Sequence, residues 1–336
     1  MAPTAPPHPR VIHIRRDLSQ RATWEWSDLG MKIQGVILKS ELSSVEPNLR
    51  RRRAWLRDGM VRSAGQWYVT SEAPDDLVAL LELGVRPTCL DAAALHGLWV
   101  PLAEGVHAYR PRAVEVSTPA PHLMQIRRHI DPETKQLVPL PEPAAGAPRR
   151  RPQPLVLHGP RIRAWGGADP VPDIIQALDH AARCMPAVKA AILIESALNQ
   201  GKLSTAGLEQ LLGKLPQRYR SPLSRVRYDA QSGTETAVRW WLEGRCVRVR
   251  SQVQLAPGIR VDLLLGTNWV IECDSRRFHD DPDQYREDRR RDLVLASRGY
   301  RVTRLTWEQV FLEWTATARM LQTMLRRRDH RRALSA

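Results

Sequence analysis

The sequence predicts a mixed α/β protein whose C-terminal part folds as one helix, three strands, a helix and a fourth strand, an αβββαβ core. Three short runs rich in Val, Ile and Leu, at about 245–255, 259–265 and 269–274, have the length and composition of strands. A highly charged segment of helical length follows at 281–298, before a fourth strand-like run at 300–305. Upstream, the patterns predict a small N-terminal helical module with two short strands and a mainly helical middle region.

Capping signals support the helices of this core. Ser232 occupies the N-cap position of the first helix, and Glu235 at its third helical position has the spacing of a capping box. Thr306 and Gln309 repeat that spacing at the start of a last helix. The C-terminal domain is therefore predicted over residues 230–328.

The N-terminal module is predicted over residues 31–72, after a disordered basic arm at 1–30 that has no sustained hydrophobic period. A short helical stretch is expected to begin at Val36, and a second, basic helix at about 49–56. Two short strands around a tight turn at 63–65 follow directly. The order of helix, turn, basic helix and β-wing is that of a winged helix-turn-helix.

The second helix of this module carries four consecutive arginines: Arg50, Arg51, Arg52 and Arg53. In a winged helix-turn-helix they would lie in or beside a DNA groove. The alternative is a solvated basic face on an ordinary helix. The wing pattern directly after the helix favours contact with DNA.

The middle region covers residues 73–225 and is expected to be mainly helical. Helical patterns lie at about 75–82, 90–97, 173–182, 187–200 and 206–215, and a strand-like run lies at 105–109. Repeated prolines and three consecutive arginines near 134–154 predict a loop or linker. The helices of this region would form a scaffold that joins the two ends of the chain.

The chain is strongly basic, with 51 Lys and Arg against 36 Asp and Glu and a net charge of +15. Such an excess, much of it Arg, indicates nucleic acid first and acidic membranes second. The sequence has no apolar run of about 18 residues, no lipidation signal and no apolar signal core at its N-terminus. We therefore expect a cytoplasmic protein that binds DNA and no membrane.

Four cysteines, Cys89, Cys184, Cys246 and Cys273, are widely scattered along the chain. None belongs to a C-x-x-C pair, which argues against a zinc knuckle. Their apolar sequence neighbours favour reduced, buried thiols. Strand alternation also predicts that the sulfur of Cys273 points away from the face that its acidic neighbours occupy.

Acidic residues interrupt the apolar runs of two predicted strands. Asp262 lies in the run at 259–265, Glu272 and Asp274 lie in the run at 269–274, and His279 follows. Burial of a carboxylate is costly unless it is paired, and carboxylates on neighbouring strands repel one another unless a cation neutralises them. Oxygen ligands favour Mg²⁺ or Mn²⁺, and in a basic chain the substrate of such a site is expected to be a phosphodiester.

The C-terminal residues together resemble the PD-(D/E)XK nucleases, and most closely their very-short-patch-repair (Vsr) endonuclease-like branch. The residues that carry the resemblance are Ser232-Gly-Thr-Glu235, Arg260-Val-Asp262, Val270-Ile-Glu-Cys-Asp274, Phe278-His279, Tyr285-Arg-Glu-Asp-Arg-Arg-Arg-Asp292 and Gly299-Tyr-Arg-Val-Thr-Arg-Leu-Thr-Trp307. The resemblance covers about residues 230–325 and implies a restriction-endonuclease-like core with Mg²⁺-dependent hydrolysis of DNA.

The resemblance also implies roles for single residues. Asp262 corresponds to the central metal ligand, Cys273 would contribute a backbone carbonyl, and Asp274 would complete the metal ligands. Glu235 corresponds to a helix-borne glutamate that supports the metal site. His279 and Asp274 would lie near the attacking water or the leaving phosphate, where His279 would assist proton transfer. Glu272 has a less defined place, because an apolar residue can occupy its position in that branch.

Two departures from the pattern bear on activity. The lysine that most PD-(D/E)XK enzymes carry two residues after the second acid is replaced here by Asp274, as in the Vsr-like branch. The glycine that usually follows this position is replaced by Ser275. The alternative to an active enzyme is therefore a nuclease fold that only binds DNA.

Further arginines are expected to contact nucleic acid beside this site: Arg276, Arg277, Arg289 and Arg290. On the charged helix at 281–298, acidic residues such as Asp288 and Asp292 alternate with the arginines and can pair with part of them across a solvated face. The basic tail at 326–332 is predicted to be a helix end or a loose extension.

The N-terminal half has a looser resemblance to AbiEi-type antitoxin regulators, carried by residues 50–69 and 90–98. The sequence therefore predicts a Mg²⁺-dependent DNA endonuclease with an N-terminal DNA-binding module, acting in defence against foreign DNA or in repair. The alternative is an antitoxin-type transcriptional regulator with a silent nuclease fold and a toxin as its partner. Binding or cleavage of RNA is ranked below both, because the sequence has no aromatic-basic strand signature.

Overall fold

Four small sheets and twelve α-helices form the part of the chain that the structure, a computed structural model, describes. The described residues are 35–103, 105–111, 128–130, 137–139, 155–159, 168–274 and 282–331. The mixed α/β class expected from the sequence is confirmed. The arm at 1–30 and most of the linker near 134–154 lie outside the described residues.

The N-terminal module contains a three-stranded antiparallel sheet and two helices. Its elements are β1 (Val36–Leu38), α1 (Leu42–Val45), α2 (Leu49–Arg57), β2 (Arg62–Ala64) and β3 (Trp67–Val69), with the strand order β1-β3-β2. The prediction of a helix beginning at Val36 is wrong. Val36 pairs with Val69 in the sheet, so this apolar, β-branched segment forms a third strand beside the predicted wing.

The boundaries of the basic helix α2 follow from its caps. The side chain of Asn48 accepts hydrogen bonds from the backbone N–H groups of Arg50 and Arg51 at the helix start. The helix ends at Arg57, one residue beyond the end predicted from the sequence, before Asp58 and a Gly59 with positive φ. Trp55 is the buried residue of α2 and packs into a small core with Ile37, Leu42 and Val61.

The middle region is mainly helical and includes a second three-stranded sheet. Its elements are α3 (Asp75–Glu82), β4 (Arg86–Pro87), α4 (Cys89–Leu95), β5 (Val106–Tyr109), β8 (Leu155–His158), α5 (Ile174–Cys184), α6 (Ala187–Asn199), α7 (Thr205–Lys214) and α8 (Gln217–Leu223). The sheet has the order β4-β5-β8, and the short strands β6 (Arg128–Ile130) and β7 (Leu137–Pro139) pair with each other. Helices α4 to α8 enclose the largest apolar core, to which Trp240 of the C-terminal domain also contributes.

The C-terminal domain has the predicted order of helix, three strands, helix and strand. Its elements are α9 (Gly233–Glu243), β9 (Val249–Ala256), β10 (Ile259–Leu265), β11 (Trp269–Asp274), α10 (Pro282–Ser297), β12 (Arg301–Thr306), α11 (Trp307–Phe311) and α12 (Trp314–Arg326). The four strands form one sheet in the order β12-β11-β10-β9, in which β12 is parallel to β11 and the other pairs are antiparallel. Strand β9 is therefore an edge strand.

Helices cover both faces of this sheet. On one face, Leu263, Trp269 and Ile271 pack against Val238 of α9 and Leu321 of α12. On the other face, Leu264 and Val270 pack against Leu295 of α10. The capping box predicted for Thr306 and Gln309 is present at the start of α11.

A buried ion pair joins the middle region to the C-terminal domain. Glu195 of α6 and Arg239 of α9 have no exposed side-chain surface and are bonded to each other. Thr236 donates a hydrogen bond of 2.7 Å to the same carboxylate, and Arg239 also bonds Glu243 at 3.0 Å. Every partner of the Glu195 carboxylate lies C-terminal to α8, which makes this cluster the polar centre of the contact between α6 and α9.

The chain after α12 folds back onto the sheet. A short 3₁₀ helix covers Asp329–Arg331, and the His330 side chain is buried beside Trp269. The carbonyl of His330 accepts a hydrogen bond of 3.0 Å from the backbone N–H of Thr267. This part of the basic tail is therefore docked and not a loose extension.

Candidate functional site

Asp262 lies on the central strand β10, at the point where β9, β11 and α9 meet. Its Oδ2 accepts a hydrogen bond of 2.8 Å from the backbone N–H of Cys273 on β11. Its own backbone N–H donates to the carboxylate of Glu272 at 3.4 Å. The register therefore brings Asp262 beside Glu272, a pairing that strand alternation alone does not determine.

Gln252 links Asp262 to Glu235 and was not among the residues that the sequence indicated. Its side-chain amide donates to Asp262 Oδ1 at 3.2 Å and to Glu235 Oε2 at 2.8 Å. The backbone of Gln252 has φ of 52°, a left-handed conformation that is costly for a residue other than glycine. Such strain is typical of functional sites, but no pattern in the sequence distinguishes this glutamine from its neighbour Gln254.

Glu235 reaches the site from the first turn of α9. Its backbone N–H is capped by the Ser232 side chain, as predicted, but its carboxylate accepts from the backbone N–H of Gln231 at 3.1 Å. The second half of the expected capping box is therefore made one residue earlier than the spacing predicted. The Glu235 side chain is buried beside the Asp262 carboxylate, with Gln252 between them.

Glu272 is also buried, and it has a cationic partner. The guanidinium of Arg291 on α10 donates to Glu272 Oε1 at 2.6 Å and also contacts the carbonyl of Arg260. Arg291 is one of the arginines on the charged helix α10. Its neighbour Asp292 pairs with Arg304 of β12 at 2.7 Å. Glu272 therefore has an internal counter-ion, whose charge also opposes the rise in the pKa of Asp262.

The pKa values of the three carboxyl groups are raised together. Burial, followed by the charge of Asp262, raises the pKa of Glu235 to about 7. The same two causes raise the pKa of Glu272 to about 8, although Arg291 opposes the shift. Burial also raises the pKa of Asp262. Full ionisation of this cluster at neutral pH is unfavourable without a further positive charge.

Several predicted site residues can be placed only in part. Cys273 packs its sulfur against the apolar core under the sheet, as alternation predicted, and only its backbone faces Asp262. Asp274 is the last residue of β11 and pairs with Thr306 of β12, but its side chain lies outside the described residues. His279, Arg276 and Arg277 also lie outside them.

A cleft of about 1000 Å³ runs along the edge strand β9; four arginines, two acids (Asp229 and Glu243) and Gln252 are among the residues that line it. Its arginines are Arg225, Arg227, Arg248 and Arg250. Arg227 is paired with Glu243, and Arg225 stacks on the Trp240 ring at 4.3 Å. Arg248 and Arg250 alternate along the start of β9 with exposed side chains. Gln252 lines this basic cleft and also donates to Asp262 and Glu235, which connects the cleft to the carboxylate cluster.

The other predicted nucleic-acid contacts lie on two helices. Arg50, Arg51 and Arg53 of α2 are exposed, and Arg52 is half-buried. Arg51 is 3.5 Å from Glu46, so one of the four charges is shared with an acid. Arg289 and Arg290 of α10 are also exposed, and Arg289 lies 3.5 Å from Asp292.

The groups at Asp262 suit a hard cation, because they offer carboxylate oxygens, and a cation would favour the ionised form of carboxyl groups whose pKa values are raised. The carboxylates of Glu235, Asp262 and Glu272 do not converge on one point, however. Within the described ranges, the group of three or more ligand atoms that lie within 4.8 Å of one another is a different one, Cys89, His107, His158 and Cys184. A metal at Asp262 would therefore need further oxygen ligands, such as those that the resemblance assigns to Asp274 and the Cys273 carbonyl.

Comparisons with known proteins add no relative: no protein-family model, curated protein or solved structure matches this chain. Within the described residues, no helix has both the length and the apolar character needed to cross a membrane. The geometry of the site is therefore the basis on which a function can be assigned.

Proposed function

We propose that this protein is a Mg²⁺-dependent DNA endonuclease with an N-terminal DNA-binding module, acting in defence against foreign DNA or in repair. The observation that carries the proposal is the carboxylate cluster around Asp262, whose pKa values are raised and which Gln252 connects to an arginine-lined cleft. A phosphodiester substrate needs both features, because its backbone must be attracted and the charge that develops on its phosphate must be neutralised.

The fold of the C-terminal domain is proposed to be the restriction-endonuclease-like one of the Vsr-like PD-(D/E)XK branch. The order of elements from α9 to β12 and the position of Asp262 on the second strand support this assignment. The N-terminal module is proposed to be a winged helix-turn-helix of the AbiEi type, supported by α2 and the wing strands β2 and β3.

Each residue of the site has a role under this proposal. Asp262, Asp274 and the Cys273 carbonyl would hold Mg²⁺, which when bound activates water and offsets phosphate charge. Gln252 and the Cys273 backbone N–H fix the Asp262 carboxylate from two sides. Glu235 adds negative charge to the site, and His279 is proposed to move a proton near neutral pH.

Replacement of Asp262 by Asn tests the enzymatic activity. With Mg²⁺ or Mn²⁺, the wild-type protein should nick or cut plasmid DNA, and Asp262→Asn should lower the rate by roughly 10²–10³-fold, since one electrostatic contact to a reacting group is worth about that much. Asp292→Asn is the matched control, because it also replaces a carboxylate by an amide, at a position on α10 where the carboxylate pairs with Arg304 of β12. Intact DNA with the wild-type protein, or equal rates for Asp262→Asn, would refute the proposal.

The cleft makes a separate prediction about DNA affinity. Replacing Arg248 and Arg250 by Ala should reduce the slope of log affinity against log salt by about 2, because each phosphate contact contributes about 0.9. The control is the double replacement of Arg218 and Arg220, which removes the same charge from exposed positions on α8 outside the cleft. Fluorescence anisotropy with a labelled duplex measures both slopes, and equal slopes for the two double variants would exclude the cleft as the DNA path.

One observation favours a second function, an antitoxin-type DNA-binding regulator whose nuclease fold is silent. Arg291 already supplies a positive charge to Glu272 at 2.6 Å, which is a way to neutralise part of the cluster without a metal. Under this proposal a toxin is the partner. The protein would then bind its own promoter sequence-specifically, Asp262→Asn would not change that binding, and no DNA would be cut. Weak binding without sequence preference would count against it.

A further inference from the structure

Two cysteines and two histidines from distant parts of the sequence meet in the middle region. Cys89 is the first residue of α4, His107 lies on β5, His158 lies on β8, and Cys184 is the last residue of α5. One ligand atom from each of the four lies within 4.8 Å of the other three. No short cysteine motif in the sequence indicates this cluster, because even its two members closest in sequence, Cys89 and His107, are far apart along the chain.

The register of the small sheet explains why the histidines face the two helices. Strands β5 and β8 are parallel, and His107 pairs with Val156 while Tyr109 pairs with His158. Alternation therefore places His107 and His158 on the same face. The opposite face carries Val106 and Ala108, which pack into a separate apolar core. The sheet thus separates an apolar face from a face that bears two imidazoles.

The distances between the groups suit a tetrahedral metal ion. His107 Nδ1 and His158 Nε2 are 3.0 Å apart, and Cys184 Sγ is 3.5 Å from His107 Nδ1. Bonds of about 2.0–2.1 Å to nitrogen and about 2.3 Å to sulfur place tetrahedral ligands roughly 3.3–3.8 Å apart. The four groups therefore already have nearly the spacing of a filled site and need only small shifts.

Without a ligand, the buried polar groups and the strained backbone of the cluster cost free energy of folding. Cys89, His107 and His158 are buried, and His158 Nδ1 has no hydrogen-bond partner within the described residues. Cys89 also has φ of 54°, a left-handed conformation rare for a residue with a side chain. Strain of this kind is found at ligand clamps. Cys184 keeps solvent-accessible surface, which gives an ion a path of entry.

We propose that Cys89, His107, His158 and Cys184 bind one Zn²⁺ ion as a structural site. Sulfur and imidazole nitrogen are the ligands that zinc prefers, whereas Mg²⁺ and Ca²⁺ prefer oxygen. Four protein ligands leave no open position for a substrate, which is the mark of a structural and not a catalytic zinc site. On binding, each thiol loses its proton to solvent, and two thiolates with two neutral imidazoles balance the charge of the ion.

The site would tie together parts of the chain that lie far apart in sequence. It joins α4 and β5 to β8 and α5 across residues 110–154, the segment that contains the Pro- and Arg-rich stretch. The ion is therefore expected to hold the second sheet against the helices of the middle region. Because the carboxylate cluster is in another domain and has oxygen donors, this site is independent of the proposed endonuclease activity.

Metal analysis of the full-length wild-type protein, purified without added metal, tests the proposal. One zinc per chain is expected, and competition with a chromophoric chelator should show at least a tenfold loss of zinc affinity in Cys184→Ser and in His107→Gln. Cys246→Ser is the matched control, because Cys246 is an exposed cysteine outside the cluster and its loss should leave the zinc content at one.

Replacement of the ion by Co²⁺ gives a second measurement that needs no variant. The wild-type protein should show the visible bands of tetrahedral Co²⁺ together with thiolate charge-transfer absorption. Substoichiometric metal, an octahedral Co²⁺ spectrum, or a disulfide between Cys89 and Cys184 in freshly purified protein would each overturn the proposal. A protein that binds zinc but cuts no DNA would support this site and refute the endonuclease instead.

Discussion

Replacement of Glu195 by Ala is expected to lower the free energy of unfolding by about 3–5 kcal/mol, since it leaves a buried guanidinium without its partner. Glu195 and Arg239 have no exposed side-chain surface, and Arg239 keeps only Glu243 as a charged partner after the change. The backbone N–H of Arg227 loses its acceptor as well, and the hydroxyl of Thr236 keeps only the longer hydrogen bond to the Ser232 carbonyl, at 3.3 Å. The lost stability therefore comes from the packing contact between α6 and α9.

Thermal and urea unfolding measure this effect. The melting temperature should fall by about 6–20 °C, because 1 kcal/mol corresponds to roughly 2–4 °C in domains of this size. Glu209→Ala, at an exposed position on α7, is the control and should change stability by no more than about 0.5 kcal/mol. The double variant Glu195→Leu with Arg239→Met should recover most of the loss, because no charge then remains buried. A loss below about 1 kcal/mol for Glu195→Ala would contradict the structure.

The second large effect is a loss of stability as the pH rises, in the absence of divalent cations. The folded-state pKa values of about 7 for Glu235 and about 8 for Glu272 lie above the ordinary value of 4.5. Between the ordinary and the raised pKa, the folded protein holds protons that the unfolded chain has lost. The stability that these groups contribute is therefore fully present below about pH 4.5 and is lost as the pH rises through about 7 and 8.

Glu272→Gln isolates this effect from the titration of the rest of the protein. Relative to the wild type, the variant should gain at least about 1–2 kcal/mol of stability between pH 5 and pH 8.5, because a tenfold difference in proton affinity between the folded and unfolded states is worth about 1.4 kcal/mol. Addition of Mg²⁺ should stabilise the wild type more at the higher pH, where the carboxylates are ionised. Urea unfolding at the two pH values provides the measurement, with Glu209→Gln as the control. A pH-independent difference between Glu272→Gln and the wild type would show that Glu272 is not held protonated.

The C-terminal domain shows how far the sequence can predict this fold. Its strands and helices agree with the predicted order because each has a strong local signal, such as the apolar run at 259–265 or the caps Ser232 and Thr306. Val36–Leu38 was wrongly predicted to be helical because three apolar residues fit a helix or a strand equally well. The pairing with β3 that decides between them is a tertiary contact that local periodicity does not contain.

The same distinction applies to the sites. Asp262 and Glu272 were found because acids stand out inside apolar runs. Gln252 was not predicted as a site residue, because its role depends on a strained backbone and on its position between two carboxylates. Cys184 and Cys246 were expected to be buried and are exposed. The thiols of Cys89 and Cys184 were assigned to apolar cores, because their approach to two histidines depends on the packing of α4 and α5 on a sheet.

The buried Glu195–Arg239 pair has a consequence for how this chain can evolve. A nuclease-like domain exchanged by recombination near residue 230 would bring a new α9 without an arginine matched to Glu195, and α6 would keep an uncompensated carboxylate. Exchange of the middle region alone would likewise leave Arg239 buried without the carboxylate of Glu195. The two parts must therefore be inherited together or change in concert, so residues 195 and 239 should covary among any relatives that share both parts.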